Sequence, residues 1–394
     1  MLKTCPLLPR LSVVSFTRNY TRKMSTKPPL KCPKFVPVEG GDISSRSAAD
    51  SVRFRLVSYN ILAQVYVKSS LFPHSPPSCL NAHHRWKNRS EAVLTVLKNL
   101  GADFLCLQEL DHDDFYKRIM KTDGYSSIYI QRSGQKRDGC GIFYKQNCSE
   151  LILQERIEYN DLVNSIQDEV VSCDEEQSNM LAKGNEDASN DGSSHQNNTS
   201  KNHGDLSDPC VRLKRDCVGI VAAFRLKGPF DHVIIVANTH LYWDPELADV
   251  KLAQAKYLLS RLAQFKILVS HKFECLPSVI VAGDFNSIPN DKVYQYLVSG
   301  YSSSAQHEEI LEDLPIPLCS VYAFTRGEPP FTNCTPDFTD TLDYIFFSPS
   351  DSIKPVSILE LPKTDSPDVV GCLPNQYHPS DHLPIGTEFE VRVE

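Results

Sequence analysis

Polar side chains of a few types recur where apolar runs stop. Asn60 closes FRLVSYN, Glu109 closes FLCLQE, and Asn238, Thr239 and His240 close VIIVANTH. Asp284 and Asn286 close VIVAGDFN, Asp343 opens DYIFF, and Ser380, Asp381 and His382 precede the last apolar run. Taken singly, each has a structural explanation: an Asn after a strand is a turn residue and a Glu there is solvated. Taken together, with no G-x-S-x-G nucleophile motif in the chain, they suit metal-assisted hydrolysis of a phosphate ester. Oxygen ligands without cysteine favour Mg2+, with Mn2+ as a substitute, over Zn2+. Magnesium keeps several waters and takes one or two carboxylates, so Glu109 is expected as direct ligand with Asn60 and Asp381 beside it. Asp284 can orient or deprotonate the attacking water. Asn286 can donate to a non-bridging oxygen without adding charge, and His240 to the pentavalent transition state. Asp343 and His382 make a pair in which the carboxylate fixes the ring's tautomer and raises its basicity. Asn60 and Asn238 are assigned to the substrate.

Strands must aim these side chains at one crevice, as open α/β layers do. Apolar runs predict strands at Phe54–Tyr59, Phe104–Leu107, Gly141–Tyr144, Gly219–Leu226, Val233–Ala237, Val279–Ala282, Leu342–Phe347 and Ile385–Val391. A helix is expected over Trp86–Leu100, with Val93, Val96, Leu97 and Leu100 on one face and Gly101 as its stop. A second begins at Asp244-Pro245, Asp as N-cap and Pro at the first helical position. Leu247, Val250, Gln254, Leu258, Arg261, Leu262 and Phe265 then recur at helical spacing, and the polar members predict an amphipathic helix on the outside.

The composition sets bounds. With 394 residues, 41% hydrophobic and 23% charged, the chain is neither fibrous nor wholly disordered and can bury a sizeable core. No apolar stretch is long enough to span a membrane, so no membrane partner is expected. The 13 cysteines are odd in number and contain no Cys-x-x-Cys pair, which argues against a disulfide framework and for a reducing compartment. Charge is uneven. Residues 1–38 carry eight Lys/Arg and no acid, residues 168–208 carry ten acids and two Lys, and the whole chain is −8, so the remainder is also −8. A mildly acidic core does not grip long duplexes by counterion release. The stretch 1–50 reads as a basic extension, either a mitochondrial or plastid transit peptide or a disordered tail, with Met24 as an alternative start. The domain is expected over 51–394, interrupted by an exposed acidic insertion at about 168–208 that has too few aliphatics to fold.

The ordered series SYNIL, CLQE, DGCGIFY, ANTHLYWDP, AGDFNS, LDYIFF and PSDHLP resembles the endonuclease/exonuclease/phosphatase superfamily. Within it, the chain resembles the carbon catabolite repressor 4 group of poly(A)-specific 3′-exoribonucleases, most of all plant homologues without leucine-rich repeats. The resemblance covers about residues 53–392 apart from the insertion. It implies an α/β fold, a four-layer sandwich of two β-sheets flanked by helices. It also implies Glu109 as Mg2+ ligand, Asn60 near metal and phosphate, Asp284, Asn286 and His382 as catalytic residues supported by Asp343, and His240 at the transition state. Pro245 and Phe338 match the positions that hold adenine, although Phe338 could equally pack in the core. The implied substrate is single-stranded RNA with a poly(A) 3′ end, shortened from that end with release of 5′-AMP. Docking through leucine-rich repeats is not expected, and protein partners are left open. Cytoplasmic and nuclear location follow from the resemblance, and organelle import from the basic N-terminus. Cys217 stands where many relatives have Asn, a departure that puts turnover or substrate preference in question. Two rivals stay open: another phosphoesterase of this fold, acting on 2′,5′-oligoadenylate, 2′,3′-cyclic phosphate or nucleotides, and a non-catalytic interaction protein.

Overall fold

In a computed structural model the described residues are 30–38, 51–75, 83–164, 205–300, 314–350 and 352–392. Most of the expected basic extension and of the acidic insertion lies outside them. The strands are, in chain order, β1 (Phe35–Pro37), β2 (Ser51–Asn60), β3 (Phe104–Gln108), β4 (Tyr125–Gln131), β5 (Gly139–Lys145), β6 (Ser149–Glu158), β7 (Val218–Leu226), β8 (His232–His240), β9 (Ser278–Asp284), β10 (Cys319–Ser320), β11 (Asn333–Thr335), β12 (Phe338–Asp340), β13 (Asp343–Phe347), β14 (Ile353–Leu359) and β15 (Ile385–Arg392). The helices are α1 (His83–Leu100), α2 (Asp113–Thr122), α3 (Pro209–Arg212), α4 (Ala248–Phe273), α5 (Lys292–Val298) and α6 (Val321–Thr325).

Two sheets stack face to face. One runs β1-β14-β15-β2-β3-β5-β4 and the other β10-β13-β9-β8-β7-β6; β11 and β12 form a separate hairpin. The inner faces alternate with the period of a strand. Phe54 and Leu56 of β2, Phe104 and Cys106 of β3, Ile234 and Val236 of β8, and Ile280 and Ala282 of β9 meet in one core between the sheets. The outer face of the first sheet (Val57, Tyr59, Leu105, Leu107) packs on Val93, Val96, Leu97 and Leu100 of α1 and on Tyr116 and Met120 of α2. That of the second (Val279, Val281, Tyr344, Phe346) packs on Leu258, Leu259, Leu262 and Phe265 of α4 and on Val293 and Leu297 of α5. The result is the four-layer α/β sandwich.

The helix entries follow local chemistry. Asp244 accepts a hydrogen bond from the Glu246 amide at 2.9 Å and Pro245 opens a short 3-10 turn that runs into α4. Gly101 takes a φ of 58° just after α1, where a side chain would be strained. α4 is less amphipathic than its spacing suggested. Gln254 is fully buried and accepts from the Tyr242 amide at 2.9 Å, and Arg261 pairs with Glu155.

Two further findings adjust the reading. β1 pairs antiparallel with β14, so Phe35–Pro37, inside the stretch set apart as an extension, joins the first sheet. Strands β4, β6 and β14 and helix α2 were not foreseen; β4 and β6 are sheet edges, where half-exposed, polar-rich sequences such as YSSIYIQ weaken the apolar signal. No disulfide links two of the ten described cysteines. No helix among the described residues is long and apolar enough to cross a membrane.

Candidate active site

Strand parity builds the site. Continuing the inner-face alternation past the core leads from Leu56 to Ser58 and Asn60, from Cys106 to Gln108, from Val236 to Asn238 and His240, and from Ala282 to Asp284. Asp343, Asp284 and His240 stand opposite one another across β13, β9 and β8, one row on three neighbouring strands. Glu109 breaks the parity, since it follows the inward Gln108 and would face outward. Its backbone turns left-handed there (φ 52°), and the carboxylate swings back to the inner side. Gly283 makes room for this row: a Cβ there would lie 2.1 Å from the Thr239 carbonyl oxygen.

The side chains meet. Asn60 Nδ2 donates to Glu109 Oε1 (3.1 Å) and to Asp284 Oδ2 (3.0 Å), tying the ends of the two sheets together. The Ala63 amide donates to Glu109 Oε2 at 2.9 Å, and the Asn286 amide to Asp284 Oδ1 at 2.9 Å. Two histidines face Asp284 Oδ2, His240 Nε2 at 3.5 Å and His382 Nε2 at 3.7 Å. His382 Nδ1 lies 2.7 Å from Asp343 Oδ2, which also accepts from Thr332 Oγ1 at 2.6 Å. Ser380 Oγ donates to the Asn60 carbonyl at 2.7 Å, so the segment carrying Asp381 and His382 is latched to β2.

The electrostatics are divided. Burial, then the facing carboxylates of Asp381 and Asp138, push the Glu109 carboxyl up to about 7. Burial, then the charge of Asp343, push Asp284 up to about 6, against the opposing pull of His382 and Asn60. The two histidines part company. Burial, then Arg132, hold His240 well below the usual imidazole range, so it is neutral. Burial opposes charge on His382 too, but Asp343 and Asp284 outweigh it and hold that ring well above the range.

The donor set fits a hard divalent cation. Glu109 and Asp381 are close enough to repel each other, and Glu109 retains lone pairs beyond its two hydrogen bonds. Ligand atoms of Asp284, Asp343 and His382 also lie within 4.8 Å of one another. There, however, the Asp343–His382 hydrogen bond already occupies the facing atoms, so the Glu109 side is the better cradle.

The structure therefore gathers Asn60, Glu109, Asp284, His240, Asp343 and His382 by direct contact, with Asn286 joined through its amide and Asp381 by its charge on Glu109. Asn286 also donates from Nδ2 to the Leu241 carbonyl at 2.9 Å, leaving one amide hydrogen uncommitted. Asn238 is a correction. Its Nδ2 donates to the Leu107 and Gly141 carbonyls (3.0 and 2.9 Å) and its Oδ1 accepts from Gln108 at 2.7 Å. These partners are strand backbone and Gln108, none of them a site residue, so Asn238 stitches the sheets together instead of meeting substrate. Phe338 is 42% exposed on β12, which removes the core-packing reading. Its hairpin is attached at the site through a bridge between Asn333 and His382. Pro245 is exposed, five residues beyond His240. Cys217 is buried and accepts from Arg132 Nη2 at 3.3 Å. Arg137 is exposed, while Arg215 stacks over the Tyr242 ring. The sequence reading missed the buried Arg132–Asp138 pair (3.3 Å) and Tyr66, which donates to Asp138 at 2.7 Å. Asp138 opens DGCGIFY, so the signal was present without a partner to interpret it.

Residues 57–382 match the endonuclease/exonuclease/phosphatase family, a span that begins just before Asn60 and ends on His382. The chain belongs to this family. It is thus an enzyme of the phosphoesterase and nuclease class, built on that family's fold. It is 58% identical to carbon catabolite repressor protein 4 homolog 4 of Arabidopsis thaliana, over 98% of both chains. It is 28% identical to the CCR4-Not complex 3′-5′-exoribonuclease subunit Ccr4 of Mycosarcoma maydis, covering 86% of this chain and 50% of that one. The chain spans about half the length of such fungal subunits. Among solved structures, the 2′,3′-cyclic phosphatase ANGEL2 superposes with a TM-score of 0.64 at 24% identity, over 92% of this chain and 100% of that one. The human Nocturnin catalytic domain follows with a TM-score of 0.55 at 21% identity, over 91% and 97% of the two chains. These two share the fold.

Proposed function

We propose that the chain is a magnesium-dependent 3′→5′ exoribonuclease that shortens poly(A) and releases 5′-AMP. The observation that carries this reading is the Asn60 bridge between Glu109 and Asp284, with both histidines turned on the same Asp284 oxygen. The whole-length similarity to a carbon catabolite repressor 4 homolog supports the substrate class.

Glu109, with Asn60 and Asp381 beside it, would hold the Mg2+ ion, and Mn2+ could take its place. When bound, the ion neutralises phosphoryl charge and steadies the leaving oxygen. Asp284, fixed by the Asn60 and Asn286 amides, orients the attacking water and accepts its proton. Neutral His240 donates one N–H to a phosphoryl oxygen without adding a full charge. Charged His382, its ring oriented by Asp343, donates from Nε2 into the same space. The free hydrogen of the Asn286 amide serves a non-bridging oxygen. Phe338 presents an exposed ring and Pro245 an exposed rigid edge, a pair of surfaces suited to holding a terminal adenine.

The test is purified protein with MgCl2 on RNAs of one body sequence and different 3′ tails, read on a sequencing gel and by nucleotide analysis. Oligo(A) tails should shorten stepwise to 5′-AMP, faster than oligo(U) tails. Faster turnover of 2′,3′-cyclic phosphate or 2′,5′-linked adenylate would overturn the substrate; no metal-dependent hydrolysis of any of them would overturn the enzyme.

A further inference from the structure

Two buried cations lie behind the site, one from each outer helix layer. Arg89 of α1 is 4% exposed and Lys251 of α4 is 3% exposed. A charge so deep is costly unless it is well bonded. Both donate to neutral oxygens on the segments that carry the site. Arg89 Nη1 donates to the Ile61 carbonyl at 2.8 Å, just after Asn60, and to the Pro379 carbonyl at 3.4 Å, just before Ser380. Its Nε donates to Gln64 Oε1 at 3.0 Å. Lys251 Nζ donates to the Asn286 carbonyl at 2.7 Å. The clamped backbones are the awkward ones: Leu62 and Asn286 both sit at left-handed φ, 57° and 49°. Such residues persist only where the surroundings hold them.

We propose that Arg89 and Lys251 are a matched pair of positioning residues. Arg89 pins the Asn60 turn to the Asp381–His382 segment, and Lys251 pins the Asp284–Asn286 turn. Neither reaches the reacting atoms. Each acts through a carbonyl whose peptide belongs to a site turn: the Ile61 carbonyl adjoins Leu62, whose amide donates to Asn60 Oδ1 at 3.0 Å. Asn286, held by Lys251 at its carbonyl, sends its own amide, in the preceding peptide, to Asp284 Oδ1. Both also set positive charge against a crowded acidic hollow, Lys251 toward Asp284, Asp244 and Asp291, and Arg89 toward Asp111. The proposal needs only a phosphoesterase site here, not poly(A) as substrate.

The experiment compares K251M, K251R, R89M and R89K in the full chain, using hydrogen–deuterium exchange and steady-state kinetics on oligo(A) RNA with 2′,3′-cyclic AMP as second substrate. In K251M, exchange should rise about tenfold in residues 284–288 and stay near wild type in 61–64. R89M should loosen 61–64 and 379–382 together, segments far apart in sequence. Each Met variant should lose roughly thirtyfold in kcat with KM within about twofold, because geometry and not binding is lost. K251M added to N286A should cost little more than N286A alone. K251R and R89K keep a donor and should recover most of kcat, and they carry the test if a Met variant fails to fold. Unchanged local exchange, kcat within about twofold of wild type, or fully additive losses in the double variant would overturn the proposal. If wild type is inactive on oligo(A) but active on the cyclic substrate, the poly(A) reading falls and this one is judged on the cyclic substrate and exchange.

Discussion

Two polar layers lie one strand step apart between the sheets, and they use similar residues to opposite ends. In the inner layer Asn238, Gln108 and Ser58 bond mainly to one another and to strand carbonyls. Gln108 Nε2 reaches Ser58 Oγ (3.0 Å) and Asn238 Oδ1 (2.7 Å), and both hydrogens of Asn238 are taken. In the outer layer Asn60, Asp284 and His240 are also buried and Glu109 is half-buried, yet capacity is left over. His240 Nδ1 and Asp343 Oδ1 have no partner among the described residues, and in the inner layer neither has Gln108 Oε1. Buried polar atoms are normally satisfied, so the unspent valence of His240 and Asp343, beside the carboxylates of the site, marks where a ligand completes the network. The two Asn differ in what they bond to, where residue type, burial and saturation do not: Asn238 holds strand carbonyls and Gln108, and Asn60 holds two carboxylates of the site.

That contrast can be broken by mutation. The largest expected effect is at the outer layer: Glu109→Gln or Asp284→Asn should cut metal-dependent hydrolysis at least a hundredfold, about 3 kcal/mol or more of transition-state stabilisation. Both variants should unfold no more easily than wild type. Wild-type rates in folded E109Q would remove Glu109 from the reaction. In the inner layer Asn238→Ala should do the reverse, costing roughly 2–4 kcal/mol of stability by leaving buried carbonyls and Gln108 unpaired. Urea unfolding measures the loss, and KM should stay within about twofold for the folded fraction. A large KM rise with intact stability would return Asn238 to the substrate.

A smaller effect is in pH. Glu109 and Asp284 titrate higher in the folded protein than unfolded (about 7 and about 6 against ordinary values of 4.5 and 3.8), so the folded state binds the extra protons. Their contribution to stability therefore rises as pH falls from about 8 toward 4, the opposite of a salt-bridged carboxylate. Neutral buried His240 pulls the other way below its usual range. The clean measurement is the difference between metal-free wild type and E109Q: thermal stability should favour E109Q most at pH 8 and converge at pH 5. A gap that does not narrow on acidification would mean that Glu109 is not held up. The smallest expected change is Phe338→Ala, which should lower the oligo(A) to oligo(U) rate ratio about tenfold, in line with ~1–3 kcal/mol for a stacked base. Equal losses on both tails would rule out stacking there.

Much of the site was legible because strand ends announce themselves: an apolar run that stops at Asn, Glu, Asp or His is a local pattern. Residue order alone also carried an α/β alternation, the packing face of α1 and the Asp244-Pro245 helix entry, since strand patterning, helical spacing and capping are encoded within a few neighbours, whereas the two-sheet architecture came from the family resemblance. Only the tertiary structure decided which polar residues were already spoken for. Asn238 and Asn60 look alike in sequence, but the partners of Asn238 come from β3 and β5, some 97 to 131 positions away. The same holds for Arg89, Lys251 and the Arg132–Asp138 pair, ordinary charges in the chain whose meaning lies in burial and in the carbonyls they find. Hydrogen-bond saturation, the electrostatics of crowded carboxylates and the opposite charge states of two histidines are properties of assembled neighbours, and no single stretch of chain contains them.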